Sequence, residues 1–234
     1  MYFVDELYRP STLAEALDIL SKDEKAIPMA GGTDIIVKMR AKRTKGVRLV
    51  SLSEIGELRE IAAEANGDLS IGACSTFTDV AENPLIGERI PMLKAAALSM
   101  GGPQTQNAAT IGGNVCNGAV SADSAPSLLA IDAGLELISL RGTRTVARKD
   151  FYAGPGKVNK DRDEILKRII LPIGGMKNWG GSYIKMSTRK AMDISTLGSA
   201  AVCVLDEDGI VLSAAIALGT AGPTPMRCPE SEEV

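Results

Sequence analysis

Thr110-Ile111-Gly112-Gly113-Asn114, approached through Gly101-Gly102-Pro103-Gln104 and followed by Ser121-Ala122-Asp123-Ser124, is the stretch on which the reading of this chain turns. Adjacent glycines carry no Cβ to block a ligand and adopt backbone angles closed to other residues, so consecutive N–H groups can point at one anion. A second stretch of the same kind, Ala30-Gly31-Gly32-Thr33-Asp34, stands between an apolar run and a run with helical spacing. Two such loops, far apart in sequence, can converge on two neighbouring phosphates. Either loop alone reads equally well as an ordinary turn, because the chain holds 24 glycines and glycine is the default turn residue.

Neither loop belongs to the two commonest nucleotide patterns. G-x-G-x-x-G after a first strand and G-x-x-x-x-G-K-[ST] are both absent, which excludes a Rossmann fold and a P-loop. The nearest approach, Gly154-Pro155-Gly156-Lys157, lacks the hydroxyl residue and the following helix.

The rest of the composition narrows the chemistry further. At 234 residues, with 45% hydrophobic and 24% charged residues and a net charge of −3, the sequence describes a globular protein with one large or two smaller cores. No basic cluster interleaved with aromatics is present, which argues against a nucleic-acid partner. The longest apolar stretches are interrupted well short of a membrane-spanning length, and the N-terminus is acidic where a signal peptide would be basic, so the expected location is cytoplasmic. Histidine is absent, which removes histidine bases and ligands. Cys74, Cys116, Cys203 and Cys228 never form a C-x-x-C pair, so no metal site is expected, and redox chemistry has to come from an organic cofactor or a partner.

In chain order, Thr12–Glu15 matches a capping box ahead of a helix over about 12–22. Ala26–Ala30 follows as a short strand that Pro28 confines to an edge or irregular position. Thr33 or Asp34 opens a helix, so strand, glycine loop and helix N-terminus together form an anion site. Val47–Leu52 completes a small α/β lobe. Asn66-Gly67 marks a hairpin between 57–65 and 68–74. Residues 76–82, 92–100 and 124–133 have helical spacing, 136–139 and 144–147 form a second hairpin, Lys149–Tyr152 a short turn, and Glu164 opens a strand ending at Pro172. Beyond a linker at 172–181, three strands over 182–187, 196–205 and 210–218 make a meander. Its apolar face needs covering, by helices outside this chain or by a partner.

Taken together, Met29–Asp34, Gly102-Pro103-Gln104, Thr110–Asn114, Ser121–Ser124 and Ala191-Met192-Asp193-Ile194-Ser195 resemble, in order and in register, the FAD-binding subunits of molybdenum-containing hydroxylases, above all those of bacterial xanthine dehydrogenases. The resemblance extends from residue 1 to Cys228. It implies an α+β fold: an FAD-binding domain of the vanillyl-alcohol-oxidase/PCMH type at 1–175, with a small lobe at about 1–56 and a larger lobe at about 57–175. A partial domain like the C-terminal domain of CO dehydrogenase flavoproteins follows at 176–234, with a three-stranded antiparallel sheet. The helices that complete this domain in the family are expected beyond the present end.

The same resemblance implies a cofactor site and no catalytic side chains. Ile27, Pro28, Met29, Ala30, Gly31, Gly32, Thr33, Asp34 and Ile35 would wrap the FAD pyrophosphate. Ala109, Thr110, Ile111, Gly112, Gly113 and Asn114 would close the other side, with the Thr110 hydroxyl near phosphate or ribityl. Gly102 would pack close to the cofactor. Asp123 would bond the ribityl or adenosine portion, or cap a helix, or both. The Ile165 backbone would meet the adenine. Ile184 and Lys185 would approach the isoalloxazine, where a cation stabilises reduced flavin, Lys185 as a solvated surface group being the alternative. Arg189 and Asp193 would order a loop or pair at the surface. The implied function is electron transfer from [2Fe-2S] clusters through FAD to NAD+, in complex with a molybdopterin subunit that oxidises a purine. A nicotinate, aldehyde or CO dehydrogenase subunit is the nearest alternative, and a non-catalytic nucleotide-binding or assembly module the one from another class.

Overall fold

Leu13, Ala16, Leu17 and Leu20 recur at three- and four-residue spacing and form the buried stripe of α1 (Leu13–Lys22) in the computed structural model, which describes residues 3–233. Thr12 caps the helix by accepting from the Glu15 amide at 3.2 Å. The Glu15 carboxylate reaches past Thr12 to the Ser11 amide at 2.9 Å, one residue beyond a standard capping box. The stripe packs on a three-stranded parallel sheet of order β1-β3-β2, built from β1 (Val4–Tyr8), β2 (Ala26–Met29) and β3 (Val47–Ser51). Pro28 cannot donate to a ladder, and β2 is an edge strand. The 30–34 loop leads from β2 into α2 (Ile35–Lys42).

The larger lobe is antiparallel, as the Asn66-Gly67 turn predicts. Its five-stranded sheet runs β4-β5-β10-β6-β7, from β4 (Ile61–Ala63), β5 (Leu69–Gly72), β6 (Gly134–Ser139), β7 (Gly142–Ala147) and β10 (Ile165–Leu171). The helices between β5 and β6 are α3 (Phe77–Glu82), α4 (Pro84–Arg89), α5 (Pro91–Ser99), α6 (Pro103–Ala108), α7 (Ile111–Cys116) and α8 (Ser124–Ala130). Two differences from the sequence pattern stand out here. The gap between 76–82 and 92–100 holds a further helix, and Pro84 and Pro91 each occupy the first turn of a helix, where the missing N–H has no intrahelical partner to lose. Asn83 caps α4 through the amides of Leu85 and Ile86 at 3.0 and 3.4 Å. The turn expected at Lys149–Tyr152 is a short helix, α9 (Arg148–Phe151), followed by a hairpin of β8 (Tyr152–Gly154) and β9 (Lys157–Val158).

The C-terminal sheet has four strands in the order β11-β12-β13-β14, where three were expected: β11 (Trp179–Met186), β12 (Leu197–Leu205), β13 (Val211–Gly219) and the two-residue β14 (Met226–Arg227), before the short α10 (Pro229–Glu232). Its inner face does not wait for outside helices. Tyr183, Ala200, Val202 and Ala217 are buried against α5 and α8, in one continuous core with Leu128, Leu135 and Ile169 of the larger lobe. The outer face exposes Ile184, Met186 and Leu212.

Candidate functional site

The two glycine loops meet. The segment joining β2 to α2 presses on the end of α6 so closely that a Cβ added at Gly31 would stand 1.7 Å from the Ala108 carbonyl oxygen, a contact only glycine permits. Between them lies a cavity of about 770 Å³, within the range of small-molecule sites. Its walls are Ala26–Ile35 and Lys38 from the small lobe, Ala109, Thr110, Gly113, Asn114 and Asp123 from the larger lobe, and Met192–Ile194 from the loop after β11.

The loops contribute unequally, because their backbone donors are differently committed. In the 110–114 stretch every amide after Thr110 is already bonded within the protein: Ile111 to the Ser75 carbonyl at 3.0 Å, Gly112 to Ala73 at 2.9 Å, Gly113 to Thr110 Oγ1 at 3.0 Å and Asn114 to the Thr110 carbonyl at 3.0 Å. Ile111 is fully buried in the core, and a Cβ on Gly112 would meet the Ala73 Cβ and carbonyl at 2.5 Å. Ile111 and Gly112 therefore hold the loop to the larger lobe and do not line the cavity. Thr110, Gly113 and Asn114 do. The 31–35 loop behaves in the opposite way. Among the described residues, the amides of Gly31, Gly32, Thr33, Asp34 and Ile35 donate to no protein acceptor, and Asp34 sits at the start of α2 without a side-chain capping bond. Strand, loop and helix N-terminus thus leave a run of free donors on the cavity wall, the arrangement that receives an anion.

Asp123, also on the cavity wall, does not cap α8 with its side chain. Its carboxylate, 8% exposed, accepts from Tyr183 Oη and from Lys185 Nζ, each at 3.0 Å. Burial raises its pKa, and the bonds from Lys185 and Tyr183 act against that rise. Lys185 is no surface lysine: it is 9% exposed, and it also donates to the carbonyls of Ser99 at 3.0 Å and Asp193 at 2.9 Å. It stands behind Asp123 and does not line the cavity. Arg189 donates its amide to Asp193 at 2.8 Å and its guanidinium to the Met192 carbonyl at 2.6 Å, while the Met192 amide donates to Gly101 at 2.8 Å. The loop is thereby tied to the cavity wall at Gly101, and the Met192 thioether lies against Gly102.

Two further positions fall off the cavity wall. Ile165 is 2% exposed, in the core beneath α1, where β10 is paired with β6 and its ladder to β5 spans only Arg168–Leu171. Ile184 alternates to the outer face of β11 and is 60% exposed. Conversely, Lys38, Cys116, Gly156, Lys160 and Arg162 line the cavity without having been expected there. Arg162 donates to the carbonyls of Leu20 at 2.7 Å and Asp23 at 3.1 Å, joining the two lobes, and Lys160 donates to Asp161 and Glu164 carbonyls at 2.9 and 2.7 Å. Burial lowers the Lys160 pKa and pushes the Cys116 thiol up to about 11, so Cys116 is a neutral wall group. None of these sits in a motif. Only Gly156, in the stretch set aside as a failed P-loop, carried any sequence signal. Among the described residues no group of three or more His, Cys, Asp or Glu side chains could hold a metal, and no helix is long and apolar enough to cross a membrane.

Comparison with known proteins agrees with this geometry. Residues 3–174 match the family described as the FAD binding domain in molybdopterin dehydrogenase, and residues 182–234 the CO dehydrogenase flavoprotein C-terminal domain. The chain is 42% identical over 233 residues to the protein named putative xanthine dehydrogenase FAD-binding subunit of Escherichia coli K12, covering all of this chain and 80% of that relative. It is 31% identical to the nicotinate dehydrogenase FAD-subunit of Eubacterium barkeri, over 98% of this chain and 78% of the relative. Among solved structures, reconstituted CO dehydrogenase from Oligotropha carboxidovorans superposes with a TM-score of 0.93 at 29% identity, over 99% of this chain and 80% of that one. A family match over most of the chain, a whole-length relative and the shared α+β, two-lobed fold with its C-terminal antiparallel sheet agree: the chain belongs to the FAD-binding subunits of the molybdenum hydroxylases, an oxidoreductase family.

Proposed function

We propose that this chain is the FAD-binding electron-transfer subunit of a xanthine-dehydrogenase-like complex of the cytoplasm, working beside a molybdopterin subunit and a [2Fe-2S] subunit and delivering electrons to NAD+. The observation that carries this choice is the 42% whole-length identity to a xanthine dehydrogenase FAD-binding subunit, against 31% and 30% for the nicotinate and carbon monoxide dehydrogenase relatives. The FAD domain would occupy about 1–175 and the second domain 176–234.

The residues present fit FAD. A dinucleotide needs room, an anion receptor for its pyrophosphate and acceptors for its polyol. The cavity offers these as the free amides of Gly31–Ile35 and the carboxylate of Asp123. In this reading Ala30–Asp34 holds the pyrophosphate by backbone donation. Thr110, Gly113 and Asn114 form the facing wall, with Thr110 contributing a hydroxyl. Asp123 accepts from the ribityl, and Met192 lines the wall beside Gly102. FAD supplies the exchange between single-electron carriers and a two-electron hydride acceptor, and the side chains around it bind and orient it.

The test is assembly and acceptor choice. Co-expressed with its molybdopterin and iron–sulfur chains, the full chain should enter a complex that forms NADH from xanthine in preference to nicotinate or carbon monoxide. A complex that oxidises nicotinate or carbon monoxide and leaves xanthine untouched would overturn the assignment.

A further inference from the structure

Asp123 lines the cavity together with the Met192–Ile194 loop, and both of its carboxylate oxygens are held from a single strand. Tyr183 Oη donates to Oδ1 and Lys185 Nζ to Oδ2, each at 3.0 Å. The two donors are two residues apart, so they project together from the inner face of β11. An ammonium has three protons, and those of Lys185 go to Asp123, Ser99 and Asp193, so none remains for a ligand. Tyr183 does not line the cavity at all. An ionised carboxylate has about four lone-pair positions, of which these two bonds use half. Asp123 is therefore an acceptor with capacity left toward the cavity, held from behind.

We propose that Tyr183 is a positioning residue: its hydroxyl orients the Asp123 carboxylate, so that it accepts from a hydroxyl of the polyol portion of the bound cofactor. The inference rests on the FAD reading of the cavity. Tyr183 lies outside the glycine loops and reaches the cofactor only through Asp123, so the second domain contributes to the binding site through the orientation of a first-domain side chain.

The groups around Asp123 give the proposal a pH signature. Lys185 and Tyr183, both on β11, are the ionisable groups that act on it. Asp193, on the loop after β11, turns its carboxylate to Arg189, at 2.8 Å to the amide and 3.3 Å to the guanidinium. Ser99, at the end of α5, offers Lys185 only a carbonyl, and α7 and α8 carry no charged residue. Removing the phenol hydroxyl takes away one of the two bonds that oppose the desolvation of Asp123, so the carboxyl would take up a proton at higher pH and lose acceptor capacity.

The experiment is FAD affinity from pH 5 to 9 for the full chain and its Tyr183→Phe, Asp123→Asn and doubly substituted forms. Phenylalanine keeps the ring that packs in the core. Tyr183→Phe should bind FAD about tenfold more weakly at pH 7, the order of loss seen when a group that holds a ligating side chain is removed, with the acid limb of its binding curve moved to higher pH. Added to Asp123→Asn, which keeps an acceptor oxygen but no charge, it should cost less than in the wild-type background. A Tyr183→Phe curve that superimposes on wild type, or an equal loss in both backgrounds, would overturn the proposal. Failure of the wild-type chain to bind FAD at any pH would instead overturn the reading of the cavity.

Discussion

Glu164 is 3% exposed, and its carboxylate takes two bonds from Arg144, at 2.6 and 2.8 Å, and one from the Asp161 amide at 2.7 Å. Arg144 is the first cause of a glutamate pKa held below its ordinary value. A carboxylate depressed in the folded state contributes stability that is fully present above the ordinary glutamate pKa and is lost as the pH falls through the lower, folded value. Arg144→Met should therefore lower stability by about 2 kcal/mol at pH 7, the cost of leaving a buried charged acceptor short of its donor. The difference from wild type should shrink in urea titrations taken below pH of about 4. This pair ties β7 to the residue just before β10, next to the Lys160–Arg162 edge of the cavity, and nothing in the local sequence announces it: Arg144 and Glu164 stand 20 residues apart. The glycine pairs were legible because glycine is conspicuous, but the direction of their amides was not. Whether the amides of Ile111 and Gly112 are free depends on the carbonyls of Ser75 and Ala73, which approach only once β5 has folded beside them.

At the scale of elements, periodicity located most of the chain. The α1 stripe, both hairpins, β10 and the first three strands of the C-terminal sheet follow from apolar spacing and turn residues. What it missed is short or proline-led. α4 is six residues beginning at Pro84, and β14 is two residues whose pairing with β13 is a tertiary event. The element with the widest consequences is α8, which touches α5 and α7 on one side and β12 and β13 on the other. All seven of its residues are buried, so one short helix is shared by the larger lobe and the C-terminal sheet. Leu128→Ala, at a fully buried position, should cost about 3 kcal/mol. Trp179, the only tryptophan, opens β11 and reports on the C-terminal sheet. Its fluorescence and the far-UV circular dichroism of the whole chain should lose structure at the same denaturant concentration in this variant. Separate midpoints would mean that α8 does not couple the two parts.

At the scale of the molecule, the small lobe, the larger lobe and the loop after β11 all line one cavity, and each part supplies what the others lack. The small parallel lobe brings free backbone donors at Gly31–Ile35. The larger antiparallel lobe brings a wall whose own amides are satisfied, together with Asp123. The C-terminal sheet brings the donors that hold Asp123 and the loop tied to the wall at Gly101. The order of motifs along the chain revealed the family, because five short stretches in register are far more specific than any one of them. The division of labour became visible only in the packing, since it depends on which face of β11 turns inward and which of two similar loops has bonds to spare. In the proposed reading, Gly31 lets the two lobes close around the pyrophosphate of FAD. Its most direct test is equilibrium titration of the purified full chain and its Gly31→Ala variant with FAD, read by flavin fluorescence with ADP as competitor. The wild-type chain should bind FAD one to one and release it to ADP, and the variant should bind at least about tenfold more weakly, a step of about 1.4 kcal/mol. A wild-type chain that takes up no FAD, or a Gly31→Ala chain that binds it equally well, would contradict that reading.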